Sequence, residues 1–402
     1  MKVIPYGRQD IDQSDIDAVI SVLRSDFLTQ GPVVPAFESE VARYCGANFA
    51  IAVNSATSAL HIACLALGVK KGDLVWTTPI TFVASANCAL YCGASIDFVD
   101  IDPLTYNLSV DCLAEKLEIA KKAGKLPKVV IPVHLCGQSC NMAEIKNLGD
   151  KYGFSIIEDA SHAIGGKYRS RFNVEKGYDN ETQFKAIGNC HYSDITVFSF
   201  HPVKIITTGE GGLATTNNPL LAKRLQLLRS HGISNNHIDF QERPVHEIWN
   251  YQQIDLGFNY RMTDIQAALG LSQIKKLDSF VEKRHVIAKR YNEALAELSV
   301  ETPWQDPSTY SAYHLYPIQI EQNKRGITQR EIYETFLTAD IRVNLHYIPV
   351  YRQPYFESMG FKAGYCPQAE KYYRQAVSLP IYPALTNIEQ DKVIGILRET
   401  LG

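Results

Sequence analysis

The chain has 402 residues, with 40 basic and 43 acidic side chains and a formal charge of −3. That balance argues against a nucleic-acid groove, and basic pairs such as Lys121-Lys122 and Lys275-Lys276 read as solvated helix faces. A chain of this length buries about three quarters of its unfolded surface without help from metals or disulfides.

Met1 to Asp10 lacks an apolar core segment, so no secretory leader is expected. The apolar runs around Ala59 to Val69 and Phe82 to Cys92 are interrupted and shorter than the roughly 20 residues of a membrane helix, so no membrane partner is expected. Nine cysteines, an odd number often placed inside apolar runs, read as buried thiols of a reducing cytoplasm. Cys136 and Cys140 have no second pair with zinc-like spacing, so no metal is expected.

Short apolar strands alternate with helical patterns through the first half. Strands are expected at Ala50 to Val53, Leu74 to Thr77, Ser95 to Val99, Val129 to His134, Phe154 to Glu158 and Ile195 to Phe200. Helices are expected at Thr57 to Leu67, Phe82 to Tyr91, Val110 to Lys122 and Ala143 to Tyr152. This alternation predicts an α/β fold with a mostly parallel sheet covered on both faces, and ligands at the carboxyl ends of its strands. Gly166 to Ser193 is charged and aperiodic and reads as an exposed hairpin or loop. A strand at Leu213 to Thr216 and a helix at Pro219 to Arg229 follow, then a polar loop at Ser234 to Gln253. One long helix over Thr263 to Leu298 is expected to bridge two domains, 1–262 and 263–402. The second is a small α+β unit with strands at Tyr313 to Ile320 and Arg342 to Tyr347 and helices at Gln329 to Ala339 and Ile388 to Glu399.

Five segments carry chemistry. Asn54-Ser55-Ala56-Thr57-Ser58 follows a strand and opens a helix, where small side chains, free N–H groups and the helix dipole favour a phosphate. Taken alone, the segment reads better as an ordinary cap by Ser55 or Thr57 with no ligand. Phe82 follows a strand end, placed to stack on a flat ring or simply to fill core. Asp159 ends a buried strand and either pairs with a pyridine nitrogen or caps the next helix, with His162 three residues on. Ser199 lies five residues before Lys204, which precedes Gly209-Glu210-Gly211-Gly212. That spacing suits an amine forming a Schiff base beside a hydroxyl that holds a phosphate. Asn259-Tyr260-Arg261 precedes the long helix, whose plain reading is a polar loop capped by Thr263. Together the five point to pyridoxal 5'-phosphate (PLP).

In this order the segments resemble the sugar aminotransferases of the DegT/DnrJ/EryC1/StrS family, from Tyr6-Gly7-Arg8-Gln9 to Ser378-Leu379-Pro380. The resemblance implies the PLP-dependent type I (aspartate aminotransferase-like) fold and a homodimer with active sites at the subunit interface. It implies Lys204 as the catalytic lysine, Asp159 as the pyridinium partner and His162 near the phenolic oxygen. Ala56, Thr57 and Ser199 fall at the phosphate, Phe82 at the ring, and Asn259 at the phosphate of the neighbouring subunit. Ser25 to Pro32 and Val343 to Tyr351 resemble the members that aminate C4 of a UDP-linked 4-keto-6-deoxy-N-acetylhexosamine in pseudaminic acid biosynthesis. In those members L-glutamate is the donor and UDP-4-amino-4,6-dideoxy-N-acetyl-beta-L-altrosamine the product. By that likeness Tyr6, Leu28, Thr29, His346 and Tyr347 line the sugar site, with Ala56, Ser199 and Asn259. The long Gly166 to Ser193 connection departs from the family pattern. A C3 dehydratase and a non-catalytic nucleotide-sugar binding protein are the rival readings. The intact Lys204 argues against the dehydratase type that carries a histidine at that position, and Lys204, Asp159 and Ser199 together argue against a non-catalytic binding protein.

Overall fold

The computed structural model describes residues 3–169, 184–242, 247, 249–320 and 326–402. Seven strands form the main sheet: β1 (Phe49–Val53), β2 (Leu74–Thr77), β3 (Ser95–Phe98), β4 (Val129–Ile131), β5 (Ser155–Asp159), β6 (Ile195–Ser199) and β7 (Gly212–Thr216). Their order is β1-β7-β6-β5-β4-β2-β3. All neighbours run parallel except β7, which is antiparallel to both β6 and β1. The expected α/β sheet is therefore present, and the six strands that share one direction end along one edge.

Side-chain alternation builds both faces of this sheet. Ile51, Val53, Val75, Val129, Ile131, Ile157, Ile195, Val197 and Ala214 enter one buried cluster. Their neighbours Ala50, Ala52, Trp76, Val130, Ile156, Phe198 and Leu213 enter the other. Helices α3 (Ala56–Ala66), α4 (Ala84–Tyr91) and α7 (Pro219–Arg229) cover the first face. The second is covered by α2 (Val33–Cys45), α5 (Val110–Lys122), α6 (Met142–Tyr152), α8 (Asp264–Gln273) and α9 (Leu277–Leu295). With two covered faces, β4, β6 and β7 are buried at every position, so they carry no charged side chain and do not alternate apolar with exposed polar residues. All nine cysteines are free thiols and seven are buried.

Four local expectations change. The sequence reading has no helix before residue 56, yet α1 (Gln13–Leu23) and α2 are present. α1 begins with a capping box in which Asp12 accepts from Ser14 N and Asp15 N, a signal readable in Asp12-Gln13-Ser14-Asp15. The expected single helix over Thr263 to Leu298 is broken by a 3₁₀ turn at Ile274–Lys276. Side chains three apart eclipse in such a turn, and here Gln273 and Lys276 both reach the buried Asp15 carboxylate, at 2.7 and 2.6 Å. The expected strand at Arg342 to Tyr347 forms a ladder only at Ile341–Arg342, parallel to Ile4–Pro5, with one isolated antiparallel bridge from Asn344 to Ser378. Beyond it Asn344, Leu345, His346, Tyr347 and Ile348 all face one cleft, which strand alternation forbids. The expected loop at Ser234 to Gln253 begins and ends in a short antiparallel pairing of Ile233–Ser234 with Gln252–Gln253.

In the charged segment, Lys167–Arg169 pairs antiparallel with Phe184–Ala186, as a hairpin requires. Residues 170–183 lie outside the described residues. The C-terminal elements make a three-stranded sheet of Val300–Glu301, Tyr316–Ile320 and Ala376–Leu379 with its own buried cluster.

Close approach decides one glycine. A Cβ on Gly212 would meet the Ser55 and Ala56 backbone at 2.3–2.5 Å. Gly395, inside the Asn387–Leu401 helix, has nothing within 4 Å of that position. Gly212→Ala should therefore destabilise the protein by roughly 1–3 kcal/mol through overpacking, whereas Gly395→Ala should stabilise it by about 0.5–1 kcal/mol. Urea unfolding of both variants checks the contrast, and similar midpoints for the two would contradict the packing.

Candidate active site

The sheet edge and the segment around residue 346 enclose a cleft of about 980 Å³. Ten of the expected site residues line it: Tyr6, Ala56, Thr57, Phe82, Asp159, His162, Ser199, Lys204, His346 and Tyr347. Adjacent parallel strands bring the central pair together. β5 ends in Asp159, which lies opposite Val197 of β6. Two residues later β6 ends at Ser199, and the chain turns to Lys204. The turn is closed by Thr208 N and Thr207 Oγ1, both donating to Phe200 O, and by Gly209 at φ +81°. That left-handed conformation is one a glycine adopts without strain.

Burial pushes the Lys204 amine down from its usual range to about 8, and the Asp159 carboxylate opposes that fall. Asp159 is itself buried and held at both oxygens. Oδ1 accepts from Ser161 N at 3.1 Å, and Oδ2 accepts from Ser85 Oγ at 2.6 Å. The preceding Glu158 accepts from His134 Nε2 at 2.7 Å, because Cys140 N donates into His134 Nδ1 and leaves the proton on the other nitrogen.

The start of α3, where the sequence places a phosphate, opens onto the cleft. Ser55 caps that helix by accepting from Ser58 N, and Ser55 O takes Ala59 N. The first-turn N–H groups of Ala56 and Thr57 have no helical acceptor by geometry. Gly212 lies opposite both Ser199 and Val53 and packs on the Ser55–Ala56 backbone, so the Ser199 hydroxyl and the α3 N-terminus share one corner. Phe82 is 59% exposed and lines the cleft, so its ring is a wall rather than core.

Three histidines surround the lysine without carrying charge. Cys136 N donates to His162 Nδ1 at 3.3 Å, leaving Nε2 to face Tyr347 Oη at 3.2 Å. His314 packs on His162 with ring centroids 4.3 Å apart. His346 Nδ1 meets Ser378 Oγ at 2.9 Å, and its ring lies 5.0 Å from that of Tyr6. Burial first, and then nearby positive charge, holds His162 and His314 well below the usual imidazole range and His346 at about 3.

Three expected residues lie outside this cleft. Asn259 is exposed and bridges to Ser230. Thr29 bridges to Thr263, and Leu28 O accepts from Asp264 N at 3.0 Å. They cluster on the surface where α8 begins. Asn54 and Glu210 stand in the quoted motifs and also line the cleft, without having been named as site residues. Thr81, Gln266 and Gln353, which line it too, and the Ser85 donor are missed, since each is a common polar residue placed by tertiary contacts.

The residues fit PLP: first-turn donors and a serine for its phosphate, an aromatic wall, a buried carboxylate and an amine of lowered proton affinity. On this fold, that combination defines a PLP-dependent aminotransferase of type I architecture. The chain belongs to the DegT/DnrJ/EryC1/StrS aminotransferase family, whose model matches residues 9–398. It is 36% identical over 393 residues to the UDP-4-amino-4,6-dideoxy-N-acetyl-beta-L-altrosamine transaminase of Campylobacter jejuni strain 81-176, covering 98% of this chain and 96% of the relative. It resembles the solved structure of Helicobacter pylori PseC, an aminotransferase involved in pseudoaminic acid biosynthesis. That match has TM-score 0.85 and 29% identity and covers 100% of this chain and 99% of the other. The sugar aminotransferase Spr1654 from Streptococcus pneumoniae in its PLP form, described as putative, matches with TM-score 0.84 and 26% identity over the full length of both chains. Among the described residues, no helix is long and apolar enough to cross a membrane, and no cluster of His, Cys, Asp or Glu could hold a metal.

The neutral histidines set a pH dependence. Unfolded imidazoles take up protons below about 6.5 whereas the folded ones do not, so their contribution is full above that pH and is lost as pH falls toward the folded values. The three together should cost about 4 kcal/mol between pH 7.5 and 5.5. Urea unfolding of cofactor-free protein measures this, and His314→Asn should remove about a third of the loss. An unchanged pH slope in that variant would contradict a neutral, buried His314.

Proposed function

We propose that the protein transfers the amino group of L-glutamate to C4 of a UDP-linked 4-keto-6-deoxy-N-acetylhexosamine, giving UDP-4-amino-4,6-dideoxy-N-acetyl-beta-L-altrosamine in the cytoplasm for pseudaminic acid biosynthesis. The observation that carries the chemistry is Lys204 beside Asp159 in one cleft with the α3 N-terminus. The sugar and nucleotide rest on the full-length likeness to the Campylobacter transaminase.

Bound PLP supplies an electron sink for the pair left behind when the amine-bearing carbon loses its proton. Ala56, Thr57 and Ser199 bind its phosphate, Asp159 keeps its ring nitrogen protonated, and Phe82 fixes the ring plane. His162, neutral and donating through Nε2, serves the phenolic oxygen or hands that hydrogen to Tyr347. Lys204 would hold the cofactor through its amine and, with that amine free, would accept and return a proton at the carbon that bears the donor nitrogen. An amine of pKa about 8 is deprotonated in roughly one molecule in ten at pH 7, against fewer than one in a thousand for an ordinary lysine. That fraction makes Lys204 usable as a base. Tyr6, His346 and Tyr347 form the sugar wall. Asn259, Leu28 and Thr29 serve the cleft of a second copy in a homodimer.

Lys204→Ala should abolish turnover and prevent borohydride from fixing the cofactor to the protein. Asp159→Asn should lower kcat by about 10²–10³. Turnover with a panel of 4-keto nucleotide sugars should favour the UDP-linked N-acetylhexosamine. Amination confined to dTDP- or GDP-linked sugars would overturn the substrate, and a transaminating Lys204→Ala would overturn the mechanism.

A further inference from the structure

We propose that Ser85 is a positioning residue which, together with Thr81, aims the Asp159 carboxylate into the cleft. The inference rests on the reading of Asp159 as the pyridinium partner. Ser85 Oγ lies 2.6 Å from Asp159 Oδ2 and 2.8 Å from Thr81 Oγ1. All three side chains are at most 4% exposed. Asp159 accepts only, so Ser85 donates to it and in turn accepts from Thr81. The hydroxyls thus form a directed chain, Thr81 to Ser85 to Asp159, closed to water.

Ser161 N occupies the other carboxylate oxygen. With one donor on each oxygen, rotation about the carboxyl bond would break a buried hydrogen bond, and the remaining lone pairs are fixed in direction. The charged or titratable groups facing Asp159 are Lys204 and Tyr347. Thr81 and Ser85 also flank Phe82, the proposed ring wall. One five-residue stretch at the start of α4 therefore sets both the plane of the ring and the aim of the carboxylate at its edge.

A carboxylate released from this aim holds positive charge at the ring nitrogen less firmly. Charge at that nitrogen disfavours a proton on the nitrogen contributed by Lys204, so its loss moves the pH midpoint of the bound cofactor's visible absorption band upward. In Ser85→Ala, the PLP dissociation constant of the cofactor-free protein should rise by tenfold to a hundredfold, the scale of a hydrogen bond to a charged group. The absorption midpoint should rise by at least half a pH unit. kcat should fall about tenfold with KM for glutamate changed less than threefold, and Ser85→Thr should restore the midpoint.

Wild-type affinity, or weakened binding with an unmoved midpoint, would overturn the proposal, the latter because a merely structural serine would not touch the absorption. Should Ser85→Ala fail to fold, Thr81→Val interrupts the chain one link away. It should raise the midpoint in the same direction by a smaller amount, and an unmoved midpoint there would equally overturn the proposal. Asp159→Asn run in parallel separates the two readings. If it binds PLP with a wild-type spectrum, the pyridinium assignment fails. If it is severe while Ser85→Ala is silent, only the present proposal fails.

Discussion

The cleft depends on an opposition of charge: the Asp159 carboxylate, buried at the end of one parallel strand, and the half-buried Lys204, in the turn after the adjacent strand, are held near one another. Burial disfavours the charged amine, and the carboxylate restores part of what burial removes. The balance leaves the amine still mostly charged at pH 7 but with a neutral fraction far above that of an ordinary lysine. Neither group could be kept so on the surface, where solvent screens such interactions to a fraction of a kcal/mol. The surrounding histidines follow from the same condition. Burial first, and then the positive charge of Lys204, keeps His162, His314 and His346 neutral.

Steric economy completes the site. β7, the one antiparallel strand, places Gly212 between Ser199 and the α3 N-terminus. The missing side chain lets strand and helix backbones touch. The Gly-Glu-Gly-Gly stretch after the lysine therefore serves two ends at once. Gly209 turns the chain with a positive φ, and Gly212 brings the phosphate corner together.

The framework was legible because the sheet is covered on both sides. Short strands rich in apolar and β-branched residues, separated by helical periodicity, admit few alternatives. Asp159 was legible because it ends such a strand, and Lys204 because it follows one in a glycine-rich turn. The segment around His346 misled, since Val343, Leu345 and Tyr347 alternate with polar residues as a strand would. Its backbone is instead irregular, so that consecutive side chains face the cleft. The 3₁₀ break at Ile274–Lys276 follows from long-range contacts with Asp15, which no local pattern reports. Ser85 escaped notice for the same reason. A serine in a small-residue helix carries no mark of a carboxylate 74 positions away. Asn259, Leu28 and Thr29 were named by likeness alone, and in one chain they gather at the surface near Thr263 rather than in the cleft.

A crystal structure of the protein grown with PLP tests the central claim most directly. The account predicts electron density continuous from Lys204 Nζ into the cofactor, its ring nitrogen within hydrogen-bond distance of Asp159 and its phosphate against Ala56, Thr57 and Ser199. A cofactor joined to another lysine, or a ring turned so that Asp159 meets no nitrogen, would contradict it.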